Sequence, residues 1–253
     1  MKTKSLAWAQ PPMQAAAALR KTVTEIEQSG RSHISGDSKM RLAEAKVLAE
    51  DLKRLYGKLD ESAALGVEAQ KPERVLSCKK GCDSCCKIMT MATIAEGVVI
   101  ALGLFKKPDW RSLLPALRAS AQEMGGTTSE SEYARRGLSC VFLRNHECSI
   151  YEDRGAACRL YLVFSPPSEC DATDSMRKIE SLDTIAMQGQ VIIGSAEIFP
   201  EAGYVFGPLP LIVLHAMRML SKKPAEQAEL DAALLDLPDP VDWFNRKIAE
   251  GHS

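Results

Sequence analysis

Eight cysteines, Cys78, Cys82, Cys85, Cys86, Cys140, Cys148, Cys158 and Cys170, occupy one stretch of a 253-residue chain, and none stands before or after it. A single free cysteine is ordinarily a small buried apolar residue. That explanation is poor for Cys78-Lys79-Lys80-Gly81-Cys82-Asp83-Ser84-Cys85-Cys86, where four thiols alternate with charged and polar residues. Such a segment has too few apolar side chains to be core. It points to metal or redox chemistry, the usual use of clustered thiols in a reducing compartment.

The compartment follows from what the chain lacks. Met1 to Gln14 shows no apolar run of signal-peptide length before Pro11 and Pro12. The greasiest stretch, Ile88 to Phe105, is interrupted by Thr90, Thr93 and Glu96, short of the ~18 uninterrupted apolar residues of a membrane span. A cytoplasmic protein outside the membrane is expected. Charge excludes another class: 32 Lys+Arg against 33 Asp+Glu give a net −1, with no basic excess to hold nucleic acid.

Cys78, Cys82, Cys85 and Cys86 follow i, i+4, i+7, i+8 spacing, which on a helix is one face. Gly81 argues against an unbroken helix, so the expectation is a loop holding Cys78 and a helix starting near Cys82 or Asp83. A helix N-terminus lowers thiol pKa values, and Lys79, Lys80 and Lys87 act in the same direction. The second block runs Cys140-Val141-Phe142-Leu143-Arg144-Asn145-His146-Glu147-Cys148. It predicts a hairpin with strands at Val141–Leu143 and Ser149–Tyr151 around a polar turn. An odd loop places Cys140 directly opposite Cys148, and an even one points them to opposite faces; the odd loop is expected. His146 reads as a solvated turn residue rather than a ligand, and Tyr151 as core. Cys158 falls at or near a short helix or turn. Cys170, after Ser165-Pro166-Pro167-Ser168, is the weakest candidate ligand.

These blocks resemble the YkgJ-type cysteine-cluster family, described as a candidate zinc- or iron-chelating domain. The similarity rests on Cys78-x3-Cys82-x2-Cys85-Cys86, then Cys140-Val141-Phe142-Leu143, Cys148-Ser149-Ile150-Tyr151-Glu152-Asp153-Arg154 and Cys158-Arg159, in that order, over about residues 76–172. Gly155 stands where the family usually carries proline after the arginine. The resemblance implies metal binding by the cysteines and distant kinship with the cysteine cluster of flagellin lysine methylases. It does not carry an activity across, because a shared cluster is more widespread than any one chemistry.

All-thiolate ligation is soft and suits zinc or iron–sulfur clusters. Zinc knuckles have more regular spacing than x3, x2, x0, x7, x9 and x11. Adjacent Cys85 and Cys86 strain a single tetrahedral ion. An iron–sulfur cluster, such as 4Fe–4S, is therefore the leading cofactor, with zinc the alternative. All eight cysteines are candidate metal ligands. Arg154 and Arg159 read either as N–H donors to cluster sulfur or as surface partners of Glu152 and Asp153.

The flanks read as helical. Helices are expected at Met13–Gln28, from Asp37 or Ser38 to Tyr56 with Gly57 as its stop, at Thr93–Leu104 and at Trp110–Met124. Others are expected from Asp174 to about Glu197, at Leu211–Leu220 and Pro224–Leu235, and from Asp239-Pro240 to Gly251. Gly97 and Gly103 weaken the third. The expected fold is mainly α with a small β-hairpin: a helical hairpin in 1–75, a cysteine-rich metal-binding domain in 76–172 and a helical segment in 173–253. Three functions compete. One is a protein holding an iron–sulfur cluster or iron, with a redox or protein-modifying role. Another is a structural zinc module whose helical flanks bind a protein partner. The third is a methylase-like protein-modifying enzyme, for which no catalytic residue and no Gly-rich cofactor loop is visible.

Overall fold

The computed structural model describes residues 42–70, 73–126, 130–170, 180–182, 184, 188–189, 191 and 206–251. The helix expected at Met13–Gln28 lies outside them. The fold is mainly α, with two small two-stranded antiparallel sheets among the described residues.

The centre is built from two strand–helix units. Strand β1 (Met91–Thr93) leads straight into helix α2 (Ile94–Phe105), and strand β4 (Phe206–Pro208) straight into helix α7 (Leu209–Leu220). The strands pair antiparallel, with Met91 opposite Pro208 and Thr93 opposite Phe206. The two helices pack against each other. Both are apolar around most of their circumference, as helices enclosed by other elements must be. Val98, Ile100, Leu104, Ile212, Val213 and Leu214 are fully buried. Gly97 is what lets the axes approach: a Cβ there would lie 2.7 Å from Ile212 Cγ2 and 3.0 Å from the Ile212 carbonyl oxygen. The glycine that weakens α2 as an isolated helix is required by its neighbour.

Helix α1 (Leu42–Glu68) covers the other side, packing on α2. It does not stop at Gly57. Its apolar stripe continues through Leu59, Ala63 and Val67, all buried. That burial outweighs the roughly 1 kcal/mol an interior glycine costs. The start expected at Asp37 or Ser38 is outside the described residues.

A 3-10 turn (Trp110–Leu113) precedes α3 (Leu114–Gly125), with Pro115 in its first turn, where a missing N–H costs nothing. Helix α4 (Glu130–Arg135) is a short helix ahead of the second cysteine segment. Helices α8 (Pro224–Leu234) and α9 (Pro240–Gly251) each begin at a proline. The expected helix from Asp174 to about Glu197 is contradicted at residues 180–182, while residues 188, 189 and 191 are helical, with Gln188 N–H donating to the Thr184 carbonyl at 2.9 Å. Residues 180–182 are extended, and Ser181 bridges Val163 antiparallel, with Phe164 N–H donating to the Glu180 carbonyl at 2.7 Å and Leu182 N–H to that of Leu162 at 2.9 Å.

Candidate metal centre

Three chain segments meet at the cysteines. In the first, Ser77 N–H donates to the Val163 carbonyl at 2.9 Å, and Cys78 Sγ accepts the Val163 N–H at 3.2 Å. The chain then reverses: Cys82 N–H donates to the Lys79 carbonyl at 3.0 Å, and Gly81 takes φ +87°, a conformation that favours glycine. No α-helix follows. Ser84–Lys87 is one 3-10 turn, closed by Cys86 N–H to the Asp83 carbonyl at 2.9 Å and Ile88 N–H to that of Cys85 at 3.1 Å.

The second segment is tied to the first where Cys140 N–H donates to the Cys86 carbonyl at 2.6 Å. A hairpin forms, but with an even loop and with strands nearer the tip than the expected Val141–Leu143 and Ser149–Tyr151. β2 (Leu143–Arg144) pairs with β3 (Glu147–Cys148) so that Leu143, not Cys140, faces Cys148. Asn145 and His146 are the whole loop, at φ 49° and 64°. Such two-residue turns match the natural twist of paired strands and set the register. Cys140 escapes the alternation rule because it precedes the ladder, in a turn closed by Leu143 N–H to its own carbonyl at 3.0 Å. It returns to Cys148 by folding back, not by pairing. His146 is 84% exposed at the tip, with Nδ1 2.6 Å from Asp83 Oδ2. The pair joins the hairpin to the first cysteine turn, and the hydrogen bond holds the Asp83 carboxyl below its usual range.

The third segment carries Cys158 on the short helix α5 (Ala156–Leu160). Glu96, in the first turn of α2, fixes it. Glu96 Oε2 accepts the Thr93 N–H at 2.7 Å and Oε1 the Ala156 N–H at 2.6 Å, while Thr93 Oγ1 accepts the Glu96 N–H at 3.2 Å. Tyr56 OH from α1 donates to Oε1 at 3.4 Å. Burial still pushes the carboxyl up. Gly155 makes room for it: a Cβ at 155 would stand 2.8 Å from Glu96 Oε1. Sequence reasoning passed over this knot, although Thr93-x-x-Glu96 is the spacing of a capping box. Arg159 belongs to the same clamp. It pairs with Asp60 at 2.7 Å, donates to the Arg154 carbonyl at 2.9 Å and stacks on Tyr56.

Cys85 is the hub. It lies within electrostatic reach of Cys78, Cys140, Cys148 and Cys158 and is hydrogen-bonded to Cys86. Cys82 is in reach of Cys78. Helix α6 (Pro167–Cys170) packs against the Ser84–Lys87 turn, which brings the buried Cys170 alongside. Tyr133 of α4 is buried next to Cys140 and Cys86, and burial with these thiols pushes its hydroxyl up to about 12. The expected lowering of thiol pKa values does not occur at the hub. The Cys85–Cys86 hydrogen bond, followed by burial, pushes Cys85 up. Burial pushes Cys140 up to about 11 and raises Cys78, Cys148 and Cys158. The helix that would have lowered them is absent, and desolvation and neighbouring thiols dominate. Among the described residues, no three Cys, His, Asp or Glu side chains already form a preset metal site.

The surroundings fit a group carrying negative sulfur. Arg154 is in electrostatic reach of Cys78, Cys85, Cys148 and Cys158. Its guanidinium lies 4.0 Å over the Tyr151 ring, so Tyr151 is a half-buried stacking platform and not core. Arg154 Nε is buried and meets no acceptor among the described residues. A buried donor without a partner is costly, and anionic sulfur at the cluster would satisfy it.

Fold and site together define a cysteine-cluster, metal-binding domain set in a mainly helical chain. Residues 77–181 match the family model described as "CxxCxxCC: Putative zinc- or iron-chelating domain". Searches of curated proteins and of solved structures return no match. No described helix is long and apolar enough to cross a membrane.

Proposed function

We propose that this is a cytoplasmic protein that holds an iron–sulfur cluster, or iron, through Cys78, Cys82, Cys85, Cys86, Cys140, Cys148, Cys158 and Cys170, in a redox or protein-modifying role. The gathering of thiols from three segments around Cys85 carries this reading. They outnumber the four ligands of a structural zinc site, and the vicinal Cys85 and Cys86 suit two irons better than one ion. The unpartnered Nε of Arg154 supports it further, because N–H groups aimed at cluster sulfur tune its potential. Such a cluster supplies one-electron chemistry or Lewis acidity. The chain's own residues hold it and shield it from water. None of the eight cysteines is in a disulfide, the state a reducing compartment maintains.

Metal and acid-labile sulfide analysis on anaerobically purified protein, with an absorption spectrum, tests the proposal. Iron, sulfide and broad visible absorption are expected. Stoichiometric zinc in a colourless protein would overturn it in favour of a structural module.

A further inference from the structure

A cavity of about 420 Å³ opens beside the cysteines, with Cys85 and Cys158 in its wall together with Met89, Met91, Val191 and Phe206. Its size falls within the range of small-molecule sites. Two features define an occupant. Among the described residues no Lys or Arg lines the cavity, and the one carboxylate that does is Glu96, whose oxygens are engaged by Thr93, Ala156 and Tyr56. Among the described lining residues a charged ligand meets no counter-charge, and burying it there is costly. The methionines add flexible, polarizable surface that adapts to an apolar body.

We propose that this cavity binds an uncharged, mainly apolar small molecule, with one end against the thiols of Cys85 and Cys158. The cavity is a property of the fold and does not depend on which metal the cysteines hold. An occupant there lies against two of the proposed ligands, where a molecule acted on by the centre has to bind.

The test uses the full chain, reduced and chelator-treated, and the same protein reloaded with zinc. The probe is the uncharged fluorophore 6-propionyl-2-(dimethylamino)naphthalene, with anionic anilinonaphthalene sulfonate as the charge control. Saturable binding of the uncharged probe to the metal-free protein is expected, and weaker binding of the anion. Ala157 lines the cavity, and Ala157→Phe fills it. That variant should weaken probe binding about tenfold or more. Bound probe should slow alkylation of Cys85 and Cys158 by iodoacetamide while leaving Cys78 unchanged. If Ala157→Phe loses its helical circular dichroism, Thr90→Phe, at another lining residue, replaces it. Equal probe affinity in wild type and the filled variant, or unchanged alkylation of Cys85 and Cys158, would overturn the proposal. Zinc uptake is measured separately, so a protein that binds probe but no metal sinks the metal reading alone.

Discussion

Glu96 accepts the backbone N–H of Ala156 at 2.6 Å, so the first turn of the central helix α2 holds the helix that carries Cys158. The same carboxyl caps its own helix through Thr93. Replacing it with alanine leaves two buried N–H donors without acceptors, at about 1–3 kcal/mol each. Glu96→Ala is therefore expected to lose about 2–5 kcal/mol in denaturant unfolding, and Glu96→Gln, which keeps one acceptor, clearly less. Equal losses in the two variants would show that both carboxylate oxygens are required as acceptors, because glutamine keeps the side-chain volume and only one of them.

The thiols make the stability of the metal-free protein pH-dependent. The folded pKa values of Cys78, Cys85, Cys140, Cys148 and Cys158 are raised. A raised group contributes stability that is complete below its unfolded value, about 8.5 for cysteine, and is lost as pH rises toward the folded value. For Cys140 that window closes at about 11. Thermal melts of reduced, chelator-treated protein should be level from pH 7 to 8 and fall between pH 9 and 11, on the order of the units in that window. Cys140→Ala should flatten part of the slope. A melting temperature that rises across this range would refute the assignment.

Metal uptake has the opposite dependence. Thiols must lose protons to become ligands, so uptake releases protons and weakens as pH falls. Raised thiol pKa values steepen that fall. Competition with a chromophoric chelator at pH 6.5, 7.5 and 8.5 measures it, and a pH-independent affinity would count against thiolate ligation.

The two arginines should separate. Arg154→Gln removes the donor beside the thiols and is expected to lower metal affinity roughly 10–100-fold, with little change in the stability of the metal-free protein. Arg159→Gln cuts the contacts with Asp60, Tyr56 and the Arg154 carbonyl and should mainly lower stability. Chelator competition and denaturant unfolding on both variants distinguish the effects.

Gly97→Ala improves helix propensity by about 1 kcal/mol, yet places a Cβ 2.7 Å from Ile212 Cγ2. Overpacking of this kind costs about 1–3 kcal/mol, so net destabilisation is expected. A stabilised variant would mean that α2 and α7 are free to move apart.

Much of the site was legible because its information is covalent and local. Cysteine spacing placed the three segments, and Pro224 and Pro240 marked helix starts by removing an N–H that has no partner there. Gly57 failed as a stop because its signal is weak against the burial of Leu59, Ala63 and Val67. The hairpin register failed because it hung on two backbone conformations, at Asn145 and His146, which composition does not fix.

The sequence alone determined which thiols the chain offers: eight, gathered in one window and soft in their metal chemistry. Tertiary structure decided the environment of those thiols. The Cys86 hydrogen bond and burial at Cys85, and burial at Cys140, raise those two thiols, where a helix N-terminus would have lowered them. Long-range contacts turned Glu96 from an interruption in an apolar stretch into the anchor of Cys158 and opened a cavity against two thiols. Desolvation and partner choice depend on residues distant in the chain, and only folding brings those together.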